Sequence, residues 1–295
     1  MTRDPYDVCL ALARAHYENF PVASVLIPRG MRRDVAAVYA FARAADDFAD
    51  EGDRPAAERH ALLDDWERRL RAAFAGAAPD DGTDTGAIFA ALEQTMAVRR
   101  LPLEPFTDLL SAFRQDVDVS RYETWTALMD YCRRSANPVG RIVLRISGRD
   151  DGALDVSSDA LCTALQMTNF WQDLERDWKK GRVYLPADVM QAHGAGEHDI
   201  ARGVMTPALA AALADAAART RNLFEWGRFV CETVRGRLGV ELRATWLGGT
   251  RVLDRLERAG FDAFRARPSL GWRDAAPIAG RLVMWTAKSG SGAVA

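Results

Sequence analysis

The sequence predicts an all-α protein. Residues that favour helices, above all alanine, leucine, arginine and glutamate, dominate its 295 residues. Apolar residues recur at spacings of three and four, which is the period of one face of a helix, and strand-like alternation is weak. We therefore expect helices packed on helices, most simply as a single all-helical domain over residues 1–295.

The predicted helices follow one another closely. In chain order they cover residues 5–18, 32–51, 55–75, 84–98, 103–117, 124–147, 155–179, 207–236, 239–260 and 273–287. Glycine and proline mark the breaks, for example at 52–55, 77–82 and 148–152. Residues 180–206 contain several glycines and prolines and are predicted to form a long irregular loop, of the kind that often serves as a lid or binding loop.

Composition excludes several classes of function. The net charge is −2 and the pI about 6.1, which argues against a basic surface that binds nucleic acid. The four cysteines are scattered, without a C-x-x-C motif, and suit free thiols in a reducing compartment. A hydrophobic signal core and an apolar run long enough to span a bilayer are both missing. We expect a cytoplasmic protein, for which peripheral contact with a membrane remains open.

The predicted helix 32–51 carries a stripe of polar side chains on an otherwise apolar surface. Asp46 and Asp50 are spaced i, i+4 and therefore lie on one face. Tyr39 and Arg43 fall on the same stripe, within about 60° on a wheel that advances about 100° per residue. An isolated pair of this kind is usually a solvated surface face, so the pair alone does not define a site.

The predicted helix 155–179 repeats the pattern. Asp173 and Asp177 are again spaced i, i+4, and Gln166 and Asn169 share their stripe. Helices that are apolar nearly all round lie in the interior, where unpaired carboxylates cost several kcal/mol or become protonated. The two stripes are therefore predicted to face a cavity that holds cations. Mg²⁺ is the natural candidate, because it takes carboxylate oxygens and brings phosphates with it.

Basic residues follow the second aspartate pair directly. Lys179, Lys180 and Arg182 either interact with the carboxyl end of the helix, which favours cations, or reach an anionic ligand. For Arg182 we expect the second role, as a substrate-binding residue. Near the end of the chain, residues 278–285 are expected to dock on their own domain.

These motifs resemble those of a known family. Residues 39–50 resemble the first aspartate-rich motif of squalene/phytoene synthases, and residues 165–177, running into Gly181–Pro186, resemble the second. The resemblance extends over about residues 15–285. It implies the all-α isoprenoid synthase fold, with a central cavity between the helices and a prenyl diphosphate as substrate. It also implies two or three Mg²⁺ ions, held by Asp46, Asp50, Asn169, Asp173 and Asp177.

The resemblance further implies roles for residues around the diphosphate. Tyr39, Arg43 and Gln166 match family positions that line the site near the diphosphate and the reacting carbons. Aromatic faces such as those of Phe20, Phe41 and Trp171 would stabilise a carbocation by about 0.5–2 kcal/mol each. Ordinary core packing is the alternative for each of these rings.

Three local variants match the hydroxysqualene synthase branch of the family, the HpnC type. They are residues 18–24, residues 136–141, and Phe170-Trp171-Gln172 between Asn169 and Asp173. This branch converts presqualene diphosphate and water into hydroxysqualene and diphosphate, without NADPH. Many family members have arginine where this chain has Gln172. We therefore interpret Gln172 as a catalytic candidate that changes the hold on the diphosphate or the position of water.

Other functions remain open at this point. Motif spacing does not separate this reaction from synthesis of squalene, presqualene diphosphate or phytoene from allylic diphosphates. A non-catalytic family member that acts as an interaction protein would be expected to lose the metal carboxylates, and here all of them are present. The four histidines form no H-x-x-x-H motif, which argues against a metal hydrolase.

Overall fold

The computed structural model describes residues 4–15, 26–78, 81–265 and 267–285. Within these ranges all regular elements are helical, apart from an isolated bridge between Arg121 and Val183. The predicted all-α class is confirmed. The described ranges contain no helix that is long and apolar enough to cross a membrane.

Short turns connect the helices of the described ranges. A 3₁₀ turn (Arg29–Met31) precedes α2, and the α-helices are α1 (Pro5–Ala15), α2 (Arg32–Asp50), α3 (Ala56–Phe74), α4 (Asp84–Arg99), α5 (Glu104–Asp118), α6 (Trp125–Ser135), α7 (Asn137–Ile146), α8 (Gly152–Gln172), α9 (Leu174–Lys179), α10 (Ala187–Ala192), α11 (Glu197–Ala201), α12 (Pro207–Trp226), α13 (Arg228–Thr233), α14 (Gly236–Arg258) and α15 (Trp272–Val283).

Three of the predicted helices are each divided in two. The break at Ala136 precedes Pro138, which has no N–H to donate to the preceding turn. The break at Gly227 lies where the chain crosses α8, and a Cβ there would come within 2.8 Å of the Leu161 backbone nitrogen. The break at Asp173 separates α8 from α9 and lies among the residues of the predicted site.

The prediction of a long irregular loop over residues 180–206 is wrong. This segment contains α10 and α11, and most of its apolar side chains, including Val189 and Ile200, are buried. The Arg121 side chain holds the segment from outside: its Nε lies 2.6 Å from Glu197 and its Nη1 donates to the Gly181 carbonyl at 2.5 Å. Glycine and proline here end short helices instead of preventing them.

A contiguous hydrophobic core joins the helices, with α2 and α8 near its middle. Helix α2 packs against α1, α3, α4 and α5, and α8 packs against α7, α12 and α14. The four cysteines are free, in agreement with the sequence prediction. Since α2 and α8 are covered on most sides, their polar stripes meet cavities instead of bulk water.

Candidate active site

An apolar cavity of about 440 Å³ lies between α2, α5, α7 and α8. Aliphatic and aromatic side chains form most of its wall: Val35, Val38, Ala42, Leu109, Phe113, Val139, Ile142, Val143 and Ile146. Tyr39, Arg43 and Asp46 enter from α2, whereas Asn169 and Asp173 enter from the end of α8. The cavity is therefore apolar over most of its depth and polar at one end.

A smaller polar cavity of about 210 Å³ adjoins that end. Asp46, Asn169 and Asp173 line both cavities. The other predicted residues that line the polar cavity are Asp50, Gln166, Asp177 and Arg182. The structure thus brings together every residue predicted to bind metal, although the two aspartate pairs are far apart in the sequence.

The break between α8 and α9 does not separate the second aspartate pair. The Asp173 amide donates to the Asn169 carbonyl at 2.8 Å, and the Asp177 amide donates to the Asp173 carbonyl at 2.9 Å. Helical i→i−4 hydrogen bonds therefore continue on both sides of the break. Asp173 and Asp177 remain about one turn apart and face the same cavity.

Two arginines form ion pairs with carboxylates of the site. Arg182 contacts both carboxylate oxygens of Asp50, with Nη1 at 2.9 Å from Oδ2. Arg267 contacts both oxygens of Asp173, with Nε at 2.5 Å and Nη2 at 2.8 Å. Lys180 Nζ is 4.0 Å from Asp50. One carboxylate of each motif is therefore neutralised by an arginine from elsewhere in the chain.

The Arg43 guanidinium pairs with three carboxylates that lie one and two helical turns further along the chain. Its Nη1 is 3.2 Å from Asp46, and its Nη2 is 2.5 Å from Asp47 and 2.7 Å from Glu51. One turn before it, Tyr39 lines the apolar cavity, and burial raises the pKa of its hydroxyl. Both groups face the junction of the cavities, so a fixed positive charge and a neutral hydroxyl border the polar end.

The remaining carboxylates resist ionisation. Burial and the neighbouring Asp50 raise the pKa of Asp46 to about 6. Burial and the neighbouring Asp173 raise the pKa of Asp177 to about 7. Asp116 also has its pKa raised to about 7, mainly by burial. Five carboxylates and two cations, Lys180 and Arg182, line the polar cavity, while Arg43 and Arg267 pair with Asp46 and Asp173 at its edge.

Two charged residues of the site, Asp116 and Arg267, were missing from the sequence prediction. Asp116 on α5 accepts a hydrogen bond from the Tyr131 hydroxyl at 3.0 Å and lines the polar cavity. The sequence contains a pattern that indicates Asp116. Leu109, Phe113 and Asp116 share one face of α5, so this helix also carries an apolar stripe that ends in a carboxylate. Arg267 had no comparable signal, since it lies in an irregular segment.

The predicted aromatic residues lie in different surroundings. Phe41 is fully buried against Trp66, Phe89 and Phe106 and lines neither cavity, so its contacts are those of core packing. Trp171 is also fully buried, and its Nε1 donates to Thr220 at 2.9 Å. Both rings therefore have the core-packing surroundings that the sequence left open as the alternative. Phe20 lies outside the described residues.

Phe170 is the aromatic residue of this segment that reaches the site. It lines the polar cavity and stacks on Tyr184, with ring centroids 3.8 Å apart and an interplanar angle of 5°. Tyr184 in turn stacks on Tyr122. Trp171, the adjacent residue and the one predicted from the sequence, lies about 100° further round α8 and packs against Trp125 and Thr220.

Gln172 is buried and does not line either cavity of the site. Its Nε2 donates to the carbonyl oxygen of Pro268. Pro268 follows Arg267, whose guanidinium contacts Asp173, the residue next to Gln172. Gln172 therefore fastens the segment that carries Arg267 against the end of α8. The structure gives it a positioning contact instead of a direct contact with the reacting groups.

The residues of the polar cavity fit divalent cations that arrive with a phosphorylated ligand. Among the described residues, no group of three or more His, Cys, Asp or Glu side chains is arranged to hold a metal ion by itself. Mg²⁺ commonly binds through one or two carboxylates together with substrate phosphates, and does not need an all-protein cage. Carboxylates with raised pKa values across a small cavity match that mode of binding.

Comparison with known proteins agrees with this geometry. The family model of squalene/phytoene synthase matches residues 13–274. A hydroxysqualene synthase from Zymomonas mobilis is 41% identical over 229 residues, which is 76% of this chain and 74% of that protein. A second one, from Rhodopseudomonas palustris, is 37% identical over 247 residues, covering 81% and 80% of the two chains.

A solved structure gives the same result. The squalene synthase HpnC from Alicyclobacillus acidocaldarius superimposes with a TM-score of 0.81 at 41% identity, covering 88% of this chain and 95% of that one. The chain belongs to the squalene/phytoene synthase family and is an enzyme of that family. Its predicted resemblance to the hydroxysqualene synthase branch is also confirmed.

The raised pKa values predict how stability depends on pH. Asp46, Asp116 and Asp177 keep protons up to about pH 6–7 in the folded chain, whereas an unfolded aspartate releases its proton near pH 4. The folded state therefore binds more protons in this window, so the free energy of unfolding contributed by these groups falls as pH rises from about 4 to 7. Millimolar Mg²⁺ should raise the melting temperature more at pH 8 than at pH 5.

Differential scanning fluorimetry checks this expectation. Asp46→Asn combined with Asp177→Asn should flatten the pH slope and abolish most of the Mg²⁺ effect. Asp64→Asn is the matched control, because Asp64 is an exposed carboxylate on α3 that pairs with Arg114. A Mg²⁺ effect that is equal at both pH values and in all variants would contradict a cation site formed by these carboxylates.

The position of Gln172 predicts that its replacement changes the KM for the substrate more than kcat. Gln172→Met keeps the length and loses the hydrogen bond to Pro268, which is worth about 0.5–1.5 kcal/mol. We expect the KM for a prenyl diphosphate to rise up to about tenfold, with a smaller change in kcat. Arg267→Met should have a similar effect, and the double variant should be little worse than either single variant.

Gln172→Arg tests the family variant directly. It keeps a donor and adds a positive charge beside Asp173, so we expect the rate or the product ratio to change. Steady-state kinetics with product analysis by mass spectrometry measures both. Unchanged kinetics and products in Gln172→Arg and Gln172→Met would contradict any role of Gln172 in the reaction.

Proposed function

We propose that this enzyme converts presqualene diphosphate and water into hydroxysqualene and diphosphate, with Mg²⁺ as cofactor and without NADPH. The observation that carries this proposal is the junction of an apolar cavity with an acidic one at Asp46, Asn169 and Asp173. A substrate with a long hydrocarbon part and a diphosphate head needs both environments on either side of the bond that breaks. The relatives named hydroxysqualene synthase support this choice within the family.

The acidic cavity would hold the diphosphate through divalent cations. Asp46, Asp50, Asn169, Asp173 and Asp177 would be the protein ligands, shared with diphosphate oxygens. Mg²⁺ would neutralise charge that develops on the departing diphosphate, as a Lewis acid. Once cations and diphosphate are bound, Arg182 and Arg267 can each exchange their carboxylate partner for a phosphate oxygen. Arginine binds carboxylates and phosphates in the same bidentate manner.

The first step breaks the carbon–oxygen bond, and diphosphate leaves with the bonding electron pair. Lys180 and Arg182 line the polar cavity that would receive this negative charge, and Arg267 lies at the end of the apolar cavity beside Asp173. Fixed charges of this kind act strongly where water is scarce, as at a cavity walled by apolar side chains. The cyclopropylcarbinyl cation then remains in the apolar cavity, where the aliphatic wall offers no nucleophile.

In the second step, one water molecule attacks the rearranged cation. The water oxygen forms the new carbon–oxygen bond and gives one proton to the departed diphosphate, which leaves the alcohol. No hydride is transferred, so the reaction needs no nicotinamide cofactor. Tyr39 lies at the polar end of the apolar cavity, and burial raises the pKa of its hydroxyl further above neutral pH. Its hydroxyl can orient the water without competing for the cation as a phenolate.

A second apolar cavity offers space for the rest of the hydrocarbon. It measures about 370 Å³ and lies on the other side of Asn169, between α8 and α14. Leu165 and Thr168 line it from α8, and Gly248 and Val252 line it from α14. Asn169 touches all three cavities, so two hydrocarbon arms could diverge from one head group at this residue.

Incubation with Mg²⁺ and single substrates, without NADPH, tests the proposal. We expect hydroxysqualene from presqualene diphosphate, identified by mass spectrometry. Asp173→Asn should lower kcat/KM by at least about 100-fold, since an electrostatic contact of the reacting diphosphate is lost. Asp64→Asn, the exposed control, should keep full activity.

Two results would contradict the proposal. One is phytoene or presqualene diphosphate as the only product from allylic diphosphates, with presqualene diphosphate left unconverted. The other is squalene formed only when NADPH is added. Full activity of Asp173→Asn with unchanged Mg²⁺ dependence would show that the metal residues are wrongly assigned, even if the product is hydroxysqualene.

A further inference from the structure

Helix α15 is attached to the protein by one face. Ile278, Leu282 and Trp285 pack against the hydrophobic core, in line with the sequence expectation for this stretch. The Trp285 ring lies edge-on to the Trp246 ring at 5.4 Å and under the Arg228 guanidinium at 4.3 Å. These contacts fix which side of the helix faces outward.

A buried carboxylate fixes the start of the same helix. Asp274 is 1% exposed, and its oxygens lie 2.6 Å from Arg251 and 2.7 Å from Arg255, both on α14. It also accepts a hydrogen bond from the Gly271 amide at 2.7 Å. Helix α15 is therefore held at both ends in one orientation, and its outer face is a feature of the folded protein.

The outer face of α15 is apolar and exposed. Trp272, Ala276, Ala279 and Val283 follow one another at i, i+4, i+7 and i+11, within about 60° on the helical wheel. Trp272 is 82% exposed and Val283 is 87% exposed. Leu270 and Met284 extend this exposed apolar surface at the two ends of the helix. A contiguous patch of large apolar groups on a surface usually marks a site of interaction.

The exposed charges of the segment that carries this patch are positive. Arg273 and Arg281 are exposed on α15, and Arg265 is exposed in the segment before it. Asp274 is the only carboxylate between residues 264 and 285, and it is buried in its ion pairs. On the helical wheel Arg273 lies about 100° and Arg281 about 180° from Trp272, so the arginines lie outside the apolar stripe. An apolar stripe with tryptophan at its end, on a helix whose exposed charges are arginines, is the pattern of a helix that lies in the interface of an anionic membrane.

We propose that the outer face of α15 docks on the surface of an anionic lipid bilayer. The arginines match the negative head groups, and Trp272, Val283 and Met284 enter the boundary between head groups and acyl chains. A second copy of the chain fits this face less well. A two-fold interface would bring the same arginines of both copies together, with no exposed carboxylate of the segment to balance them.

The docked face also adjoins a cavity. Leu270, just before α15, lines the second apolar cavity together with Gly248 and Val252. A lipophilic ligand could pass between this cavity and the lipid without crossing water. This consequence rests on the proposed function, whereas the docking itself does not.

Co-sedimentation of the full chain with vesicles tests the proposal. We expect binding to vesicles of phosphatidylglycerol and phosphatidylcholine, weaker binding at high salt, and little binding to phosphatidylcholine alone. Trp272→Ser combined with Val283→Ser should weaken binding at least tenfold. Arg273→Gln combined with Arg281→Gln should reduce the preference for anionic vesicles.

Val98→Ser is the matched control. Val98 is 74% exposed on α4, which packs against α1, α2 and α3 and not against α15. It should bind vesicles like the wild type. Circular dichroism checks folding, and if the double variant fails to fold, the single variant Val283→Glu replaces it.

Two outcomes would overturn the proposal. One is equal binding of anionic vesicles by the wild type and the α15 variants, or no binding by either. The other is a wild-type dimer in analytical ultracentrifugation that the α15 variants dissociate, without vesicle binding. The face would then join two copies of the chain. Since vesicle binding is measured without substrate, this result does not depend on which reaction the enzyme catalyses.

Discussion

The arrangement of this molecule depends on the electrostatics of one small cavity. Five carboxylates from α2, from α5 and from the segment where α8 meets α9 line about 210 Å³, and burial opposes the ionisation of Asp46, Asp116 and Asp177. Burial of like charges is costly unless other groups balance them. Arg182 and Arg267 supply part of the balance from distant parts of the chain, and each pairs with one aspartate of one motif. The negative charge that these arginines leave unbalanced is the physical reason why the cavity would bind a cation together with an anionic ligand.

The apolar cavity narrows the class of ligand that this charged junction can bind. Alone, the carboxylates would suit many phosphate-binding proteins. Next to about 440 Å³ walled by valine, isoleucine, leucine and phenylalanine, they suit a ligand that is a diphosphate at one end and a hydrocarbon at the other. Arg43 and Tyr39 lie where the two environments meet. The break between α8 and α9 places Asp173 there too, while hydrogen bonds on both sides of it keep Asp177 in register.

The sequence was sufficient to predict those parts of the site that follow helical periodicity. Asp46 and Asp50, and later Asp173 and Asp177, were predictable because one face of a helix repeats every three or four residues. Arg267 was not predictable, because it reaches Asp173 from an irregular segment whose path is set by tertiary contacts such as that between Gln172 and Pro268. The structure differs from the substrate-binding expectation for Phe41 for a related reason. Periodicity indicates that a ring is buried, but not whether it faces the core or a cavity.

We propose that the acidic cavity binds diphosphate only through divalent cations. Isothermal titration calorimetry with inorganic diphosphate measures this binding. We expect clear binding in the presence of Mg²⁺, none in the presence of a chelator, and loss of the Mg²⁺-dependent signal in Asp46→Asn combined with Asp173→Asn. Binding of equal strength with and without Mg²⁺ would contradict it, since the arginines and Lys180 would then suffice to hold the anion.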